Sequence, residues 1–248
     1  MPEDYEAFND EYGTLYLIPT PLGKTPQNNS LSPGVLDIVR SLDVFMVEKM
    51  PSALRFLDWV EDTVPAYNID FFELNKHTPV EDLVHYLEPL KKGRDAGILS
   101  EAGAPAVADP GAKLVDMAHS QHIRVVPLAG PSSIILGLMA SGFNGQSFTF
   151  NGYLPRHSGK RKQVLKELEK TSRSKNRTEI FMETPHRNDE LLKDIISSCD
   201  AKTKLCIAVN ITLPDEQIIS NSLDWWQKNR DTVIGKNPAM FLLYAGNK

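Results

Sequence analysis

The chain of 248 residues is poor in the features that mark disulfide-rich, zinc-binding or membrane-spanning proteins. Its only cysteines, Cys199 and Cys206, are too few for a disulfide framework or a four-cysteine zinc site. No apolar run approaches the roughly 18 residues needed to span a bilayer. The first ten residues are acidic and polar, unlike a basic-then-apolar signal peptide. We therefore expect a soluble protein of a reducing, cytoplasmic compartment.

Aromatic residues and candidate metal ligands are also scarce. Aromatic residues make up 8% of the chain, and its three tryptophans are predicted to be core or interface residues rather than base-stacking platforms. His119 and His122 have a spacing seen in metal sites but lack a third ligand nearby, so no metal site is predicted. The net charge of −5 excludes the overall positive charge that is typical of a basic nucleic-acid-binding domain. A polyanion would have to bind a local patch.

One such patch lies between Arg156 and Arg177. The segment holds nine basic residues against two acidic ones, a local balance of +7 in a chain of −5, which leaves −12 for the rest. It is either a footprint for a phosphate backbone or the solvated face of an amphipathic helix whose Val164, Leu165 and Leu168 face inward. The basic residues are Arg156, Lys160, Arg161, Lys162, Lys166, Lys170, Arg173, Lys175 and Arg177.

Two loops rich in glycine and proline stand out along the chain. Ser100 to Gly111 follows the apolar run Ala96 to Leu99, and Pro127 to Ser133 follows the run Ile123 to Val126. The apolar runs are typical of buried strands, and α/β proteins bind ligands in the loops that leave such strands. Glycine opens the backbone to close approach and proline stiffens it, so we interpret both loops as ligand-binding loops rather than simple turns.

Strands and helices alternate along the first half, which predicts an α/β protein with a mostly parallel sheet. We expect a polar tail over residues 1–12, an N-terminal domain over 13–128 and a C-terminal domain over 129–248. N-terminal strands are predicted at Thr14 to Ile18, Val44 to Val47, Ala96 to Leu99 and Val125 to Val126, with helices from about Pro33, at Ser52 to Val60, at Glu81 to Leu90 and at Ala112 to His119.

The C-terminal part is predicted to contain five strands, two substantial helices and a short one near Trp225. A helix over Ser132 to Ala140 should precede them, capped by Ser132 and ended by Gly142. The strands are predicted at Phe148 to Tyr153, Thr178 to Met182, Leu205 to Val209, Gln217 to Ser220 and Met240 to Tyr244.

Five motifs in the same order resemble the ribosomal RNA small subunit methyltransferase I family of the tetrapyrrole methylase superfamily, the class III S-adenosylmethionine-dependent methyltransferases. The resemblance implies two α/β domains, a mostly parallel N-terminal sheet and a mixed C-terminal sheet, with the cofactor cleft between them. It also implies a homodimer. The motifs are Gly13 to Gly23, Ser100 to Gly111, Arg124 to Ser132, Asn151 to Pro155 and Glu183 to Arg187.

The resemblance implies S-adenosylmethionine as cofactor, held by backbone groups and apolar walls, so the lack of a Gly-x-Gly-x-x-Gly phosphate cradle is compatible with it. Two of the implied cofactor residues, Met182 and Ile211, are equally compatible with a place in the core. The implied cofactor-binding residues are Leu22, Ala102, Gly103, Ala104, Val107, Ser132, Ser133, Met182 and Ile211.

The implied reaction is 2′-O-methylation of a ribose in small-subunit (16S) ribosomal RNA. Transfer to a hydroxyl needs alignment of the acceptor and removal of its proton, so a base is expected nearby. Glu48, at the end of the second strand, matches the family's acidic position. The candidate catalytic residues are Glu48, Glu183, His186 and Arg187, and the candidate RNA-binding residues are Lys160, Arg161 and Lys162.

Several polar positions depart from the family pattern while the cofactor loops match it. Lys49 to Ala53 replace an Asp-Thr-Arg-His-Thr sequence, and Asn210 stands where the family has a carboxylate. The acid and the asparagine of another motif remain as Glu73 and Asn75. These departures leave two alternatives open: a small-molecule methylase of the tetrapyrrole type, or an S-adenosylmethionine-binding paralogue that has lost catalysis.

Overall fold

The computed structural model describes residues 8–23, 30–229 and 234–246. It divides into two compact units, Met1–Pro131 and Ser132–Lys248. The first seven residues of the predicted polar tail lie outside the described residues. None of the helices in the described ranges is long and apolar enough to cross a membrane.

The first unit contains a five-stranded sheet in the order β3-β2-β4-β1-β5. Every neighbouring pair in it is parallel, as the strand and helix alternation predicts. The central strands β2 and β4 are buried along their whole length, which explains their continuous apolar sequences. The strands are β1 Leu15–Ile18, β2 Val44–Val47, β3 Asp70–Glu73, β4 Ala96–Leu99 and β5 Val125–Pro127.

Helices and short 3₁₀ turns surround this sheet and contribute to two hydrophobic clusters. Val39 and Phe56 belong to one cluster, and Leu90 and Leu114 belong to the other. The helices are α1 Pro33–Ser41, α2 Met50–Val60, α3 Leu83–Tyr86, α4 Glu88–Lys91 and α5 Gly111–Ser120, with 3₁₀ turns at Ala66–Asn68 and Val80–Asp82.

Two features of the first unit differ from the sequence-based expectation. The single helix predicted over Glu81 to Leu90 is broken at Leu87, because Pro89 has no N–H to continue the helical ladder and is accommodated in the first turn of α4. Strand β3 was not predicted, because its Asp70 and Glu73 are exposed and it pairs only with β2 at the edge of the sheet.

The second unit contains a mixed five-stranded sheet in the order β6-β7-β10-β8-β9. β6 pairs with β7 in parallel and the other neighbours are antiparallel, so the predicted fold class is confirmed. The strands are β6 Phe148–Tyr153, β7 Thr178–Met182, β8 Lys204–Val209, β9 Gln217–Ser222 and β10 Ala239–Tyr244. The helices are α6 Ser133–Ser141, α7 Ser158–Lys175, α8 Asn188–Ser198 and α9 Leu223–Lys228, with a 3₁₀ turn at Pro185–Arg187.

The ends of α6 agree only partly with the prediction. Gly142 ends the helix in the left-handed conformation, with φ of +71°, as a C-terminal glycine should. Ser132 occupies the N-cap position, but its side chain makes no capping hydrogen bond. The position of the cap was predicted correctly and its hydrogen bond was not.

Candidate active site

A cavity of about 730 Å³ opens where β1, β2 and β4 end. Because these strands are parallel, their carboxyl ends meet at one edge of the sheet, where α/β proteins place ligands. The volume lies within the range of small-molecule and cofactor sites. Its lining comes from three segments: residues 20–23 after β1, residues 47–59 from β2 into α2, and residues 99–102 after β4.

Hydrogen bonds tie the loop after β1 to the loop after β4. Thr20 and Gly103 form a two-way backbone bridge, each N–H donating to the other carbonyl oxygen at 3.0 Å. The buried Ser100 hydroxyl donates to the Gly103 carbonyl oxygen at 2.7 Å, and the Thr20 hydroxyl lies 3.3 Å from the Ser100 carbonyl oxygen. The mouth of the cavity is therefore fixed by a short polar network.

Gly103 is the residue that this arrangement constrains most. Its φ is +78°, a left-handed backbone conformation that residues other than glycine seldom adopt. A Cβ atom added there would lie 3.0 Å from Leu22 Cδ2, a cavity-lining side chain. Glycine adopts this conformation without strain, and the buried Gly103 backbone ties the loop after β4 to the loop after β1.

Replacing Gly103 with alanine should raise the dissociation constant for S-adenosylmethionine, the cofactor that the sequence motifs imply, about tenfold, because a strained backbone and a displaced Leu22 cost on the order of 1–2 kcal/mol. Isothermal titration calorimetry measures the change. Gly34→Ala is the control, since a Cβ at Gly34 in α1 meets nothing within 4 Å. Equal affinities for the wild type and Gly103→Ala would contradict this role for the loop.

The rest of the loop after β4 is held by one carboxylate. Ala106 and Ala108 both have left-handed backbone, with φ of 63° and 57°. The Asp109 carboxylate accepts the Gly111 N–H at 2.9 Å and the Ala106 N–H at 3.4 Å. Burial raises the pKa of Asp109, and these two hydrogen bonds oppose the rise. Asp109 thus stabilises an otherwise strained turn.

Glu48 is the carboxylate at the end of β2, and it lines the cavity as predicted. Its pKa is raised, first by burial and then by the negative charges of Glu101 and Asp109, with a smaller opposing effect of Lys49. A carboxylate with a raised pKa is a stronger proton acceptor than an exposed glutamate. The cavity therefore contains a group suited to remove a proton.

The residues that replace the family's polar motif form a network on the same wall. The Lys49 ammonium lies 3.3 Å from the Glu101 carboxylate, and the Ser52 hydroxyl donates to that carboxylate at 3.1 Å. The Arg55 guanidinium in turn donates to the Ser52 hydroxyl oxygen at 3.0 Å. The side chains of Lys49 and Glu101 are 63% and 32% exposed, so their ion pair contributes little to stability. It places one positive and one negative charge at the mouth of the cavity.

The predicted cofactor residues occupy different places within their units. Leu22 and Ala102 line the cavity, while Gly103, Ala104 and Val107 continue the loop that bounds it, with Val107 49% exposed. In the second unit, Ser132 and Ser133 begin α6 and Met182 ends β7. Ile211 is buried, and a Cβ at Gly137 of α6 would touch its side chain. Ile211 thus packs in the second unit, and its contact with the cofactor stays a prediction.

Glu183 does not have the surroundings of a catalytic base. Its side chain is fully buried, one oxygen accepts the Thr184 N–H at 2.7 Å, and that oxygen also contacts the Arg187 guanidinium. The carboxylate holds the turn that follows β7, and its catalytic role stays a prediction. His186 is the exposed member of this turn.

Arg161 corrects the RNA-binding prediction. Its side chain is fully buried, and its guanidinium donates to Asp194 and to Glu190, both at 2.7 Å. Burial lowers the pKa of this guanidinium, but its hydrogen bonds to Glu190 and Asp194 outweigh that effect and hold the pKa above its usual value. Arg161 is a structural residue, and of the predicted trio only Lys160 and Lys162 remain accessible.

The backbone conformation at position 210 explains why an asparagine stands there. Its φ is +50°, a left-handed conformation that asparagine adopts more readily than most residues. Its side-chain amide donates to the Asp215 carboxylate at 2.7 Å. The substitution thus fits a tight turn after β8.

Several cavity residues escaped the sequence analysis. Trp59 and Phe56, with ring centroids 6.0 Å apart, line the cavity from α2, and Arg55 lines it beside them. The available signal was the helical spacing after Glu48. Residues three and four positions apart in α2 lie on one side of the helix, so several of them could be expected to face the same cavity. Trp59 also packs against a core cluster of the first unit, and Trp226 is buried in the core cluster of the second, as expected.

Comparisons with known proteins agree with this geometry. The model of the family Tetrapyrrole (Corrin/Porphyrin) Methylases matches residues 14–225. A ribosomal RNA small subunit methyltransferase I of Vibrio cholerae serotype O1 is 33% identical over 82% of this chain and 67% of its own length. A protein of the same name from Buchnera aphidicola subsp. Schizaphis graminum is 32% identical over 93% of this chain and 78% of its own length.

A solved structure shares the fold. The uroporphyrin-III C-methyl transferase of Thermus thermophilus, complexed with S-adenyl homocysteine, superposes with a TM-score of 0.57 at 15% identity. The match covers 94% of this chain and 97% of that one. At 15% identity the similarity shows a shared fold and nothing more.

Proposed function

The chain belongs to the tetrapyrrole methylase family and is an S-adenosylmethionine-dependent methyltransferase, and we propose that it methylates the 2′-hydroxyl of a ribose in small-subunit (16S) ribosomal RNA. The name shared by relatives at 33% and 32% identity supports this substrate class. The observation that carries the reaction is the placement of Glu48, a carboxylate of raised pKa, in the cavity that the cofactor loops border.

The residues around the cavity fit S-adenosylmethionine. When bound, this cofactor supplies a methyl group on a positively charged sulfur. Leu22 and Ala102 offer apolar contact, and Gly103 fixes the loop beside them through its backbone bridge to Thr20. The Glu48 carboxylate in the lining favours a nearby cation, while the Glu101 carboxylate is paired with Lys49. Ala104, Val107, Ser132, Ser133, Met182 and Ile211 remain predicted contacts.

In this proposal Glu48 accepts the proton of the ribose hydroxyl. Burial and the neighbouring carboxylates raise its pKa, which strengthens it as a base. Trp59 provides an aromatic side chain at the cavity on which a nucleobase can stack, and Arg55 lies beside it. His186 and Arg187 remain predicted participants on the second unit.

The comparisons also favour RNA over a tetrapyrrole. The relatives named ribosomal RNA small subunit methyltransferase I are 33% and 32% identical to this chain, whereas the uroporphyrin-III C-methyl transferase is 15% identical. A ribosomal substrate also places the enzyme in the cytoplasm. The homodimer stays a prediction.

Transfer of radiolabelled methyl groups tests the substrate class. The acceptors are small ribosomal subunits from a strain without ribosomal RNA small subunit methyltransferase I, large subunits from the same strain, and uroporphyrinogen III. We expect label in the small subunits only. Label in uroporphyrinogen III and none in RNA would reverse the assignment.

Replacing Glu101 with glutamine should move the acid limb of the pH profile for kcat to lower pH. Glu101 raises the pKa of Glu48, and its removal also frees Lys49, which lowers that pKa. Because the base acts deprotonated, a lower pKa extends activity towards acid. A pH series of kcat measures the shift, with Glu88→Gln on α4 as the control. A limb that stays in place would exclude Glu48 as the titrating group.

A further inference from the structure

Four basic side chains form a line along the outer face of α7. Lys162, Lys166, Lys170 and Arg173 follow one another at intervals of four, four and three residues, which places them on one side of a helix. We call these four residues the basic stripe. Lys166, Lys170 and Arg173 are exposed, and Lys162 is 42% exposed.

The opposite face of α7 fixes the direction of this stripe. Arg161, Leu165 and Ser172 are buried there, and Leu165 belongs to the core cluster of the second unit, with Leu168 packed against it. These buried positions lie about 100–180° around the helix axis from Lys166 and Lys170. The basic stripe therefore faces away from the core.

Much of the charge on the basic stripe is not neutralised. Within the described part of the chain, no carboxylate lies within ion-pair distance of Lys166 or Lys170. Lys162 is 3.5 Å from Asp194, a carboxylate already bound to Arg161, and Arg173 is 3.9 Å from Glu169. The two central lysines are thus available to a partner, and the two outer residues make only long ion pairs.

We infer that the basic stripe binds the phosphate backbone of the RNA substrate, an inference that rests on the proposed function. With a rise of 1.5 Å per residue, its charges recur about every 6 Å over about 16 Å, a linear array suited to a linear polyanion. Lysine contacts of this kind supply affinity and position rather than sequence recognition. Trp59 and Arg55 would read the nucleotide elsewhere.

A membrane surface fits α7 less well than RNA does. Helices that lie on membranes insert an exposed apolar face into the lipid. The apolar residues of α7, Val164, Leu165 and Leu168, all pack in the core of the second unit. The helix offers a partner its charge and no apolar face.

The double substitution Lys166→Gln and Lys170→Gln tests the stripe. Binding to small ribosomal subunits is measured by filter retention at several salt concentrations. We expect a dissociation constant about tenfold higher near 0.1 M salt, and a slope of log K against log salt reduced by about two. The affinity for S-adenosylmethionine and the thermal midpoint should stay at their wild-type values.

The control is Lys193→Gln with Lys202→Gln, which removes the same charge from exposed positions elsewhere in the second unit. Equal losses in both double variants, or an unchanged salt slope in the stripe variant, would overturn the inference. If wild type methylates ribosomal RNA and the stripe variant binds it normally, the stripe fails while the proposed function stands. If wild type neither binds nor methylates ribosomal RNA, both fail.

Discussion

Replacement of Glu48 with glutamine should lower kcat for methyl transfer to small ribosomal subunits by roughly 10²- to 10⁴-fold, the usual contribution of a general base. Glutamine keeps the size of the side chain but cannot take up the proton. Glu48 lines the cavity at the end of β2, where burial and neighbouring carboxylates raise its pKa. Affinity for S-adenosylmethionine should fall at most a few fold, because Glu101 and Asp109 keep their charges.

The pH dependence separates this role from a structural one. Activity of the wild type should be lost as pH falls through the raised pKa of Glu48, while the residual activity of Glu48→Gln should lack that limb. Glu73→Gln is the matched control, since Glu73 ends the neighbouring strand β3 and is exposed outside the cavity lining. A kcat of Glu48→Gln within threefold of wild type would remove Glu48 from the mechanism.

The second large effect concerns stability. Arg161→Met should lower the free energy of unfolding of the second unit by about 3–5 kcal/mol, because it leaves the buried Asp194 carboxylate without its main partner. Urea unfolding followed by tryptophan fluorescence in a Trp59→Phe background reports that unit alone, since Trp225 and Trp226 both belong to it.

Arg173→Gln on the same helix is the control for this loss. Its side chain is 53% exposed and 3.9 Å from Glu169, so the change should be below about 1 kcal/mol. Combining Arg161→Met with Asp194→Leu should recover part of the loss, because apolar replacement of a buried ion pair is often tolerated. Equal destabilisation by the Arg161 and Arg173 substitutions would show that the buried network is not what stabilises the unit.

Much of the fold was predictable because its strands carry strong local patterns. The continuous apolar sequences of β2 and β4 gave their positions within a residue. Strand β3 lacked such a pattern because an edge strand leaves its polar side chains in water. The break before α4 was missed because apolar periodicity continues through Pro89 while the backbone hydrogen bonds do not.

The site was predictable only in part. Gly103 and Glu48 were identified by motif and position, but the bridge between Thr20 and Gly103 joins residues distant in sequence. Charge patterning found the basic segment without showing which residues face inward. Arg161 is buried because carboxylates of α8 neutralise it, and a count of charges along one segment contains no information on that pairing.

The position of the transferred methyl group tests the account most directly. Small ribosomal subunits lacking the modification are incubated with the enzyme and S-adenosylmethionine, and their RNA is digested to nucleosides and separated by liquid chromatography with mass spectrometry. The account predicts a 2′-O-methylated nucleoside that is absent without enzyme and strongly reduced with Glu48→Gln. A methyl group found only on a nucleobase, or no methylated nucleoside at all, would contradict it.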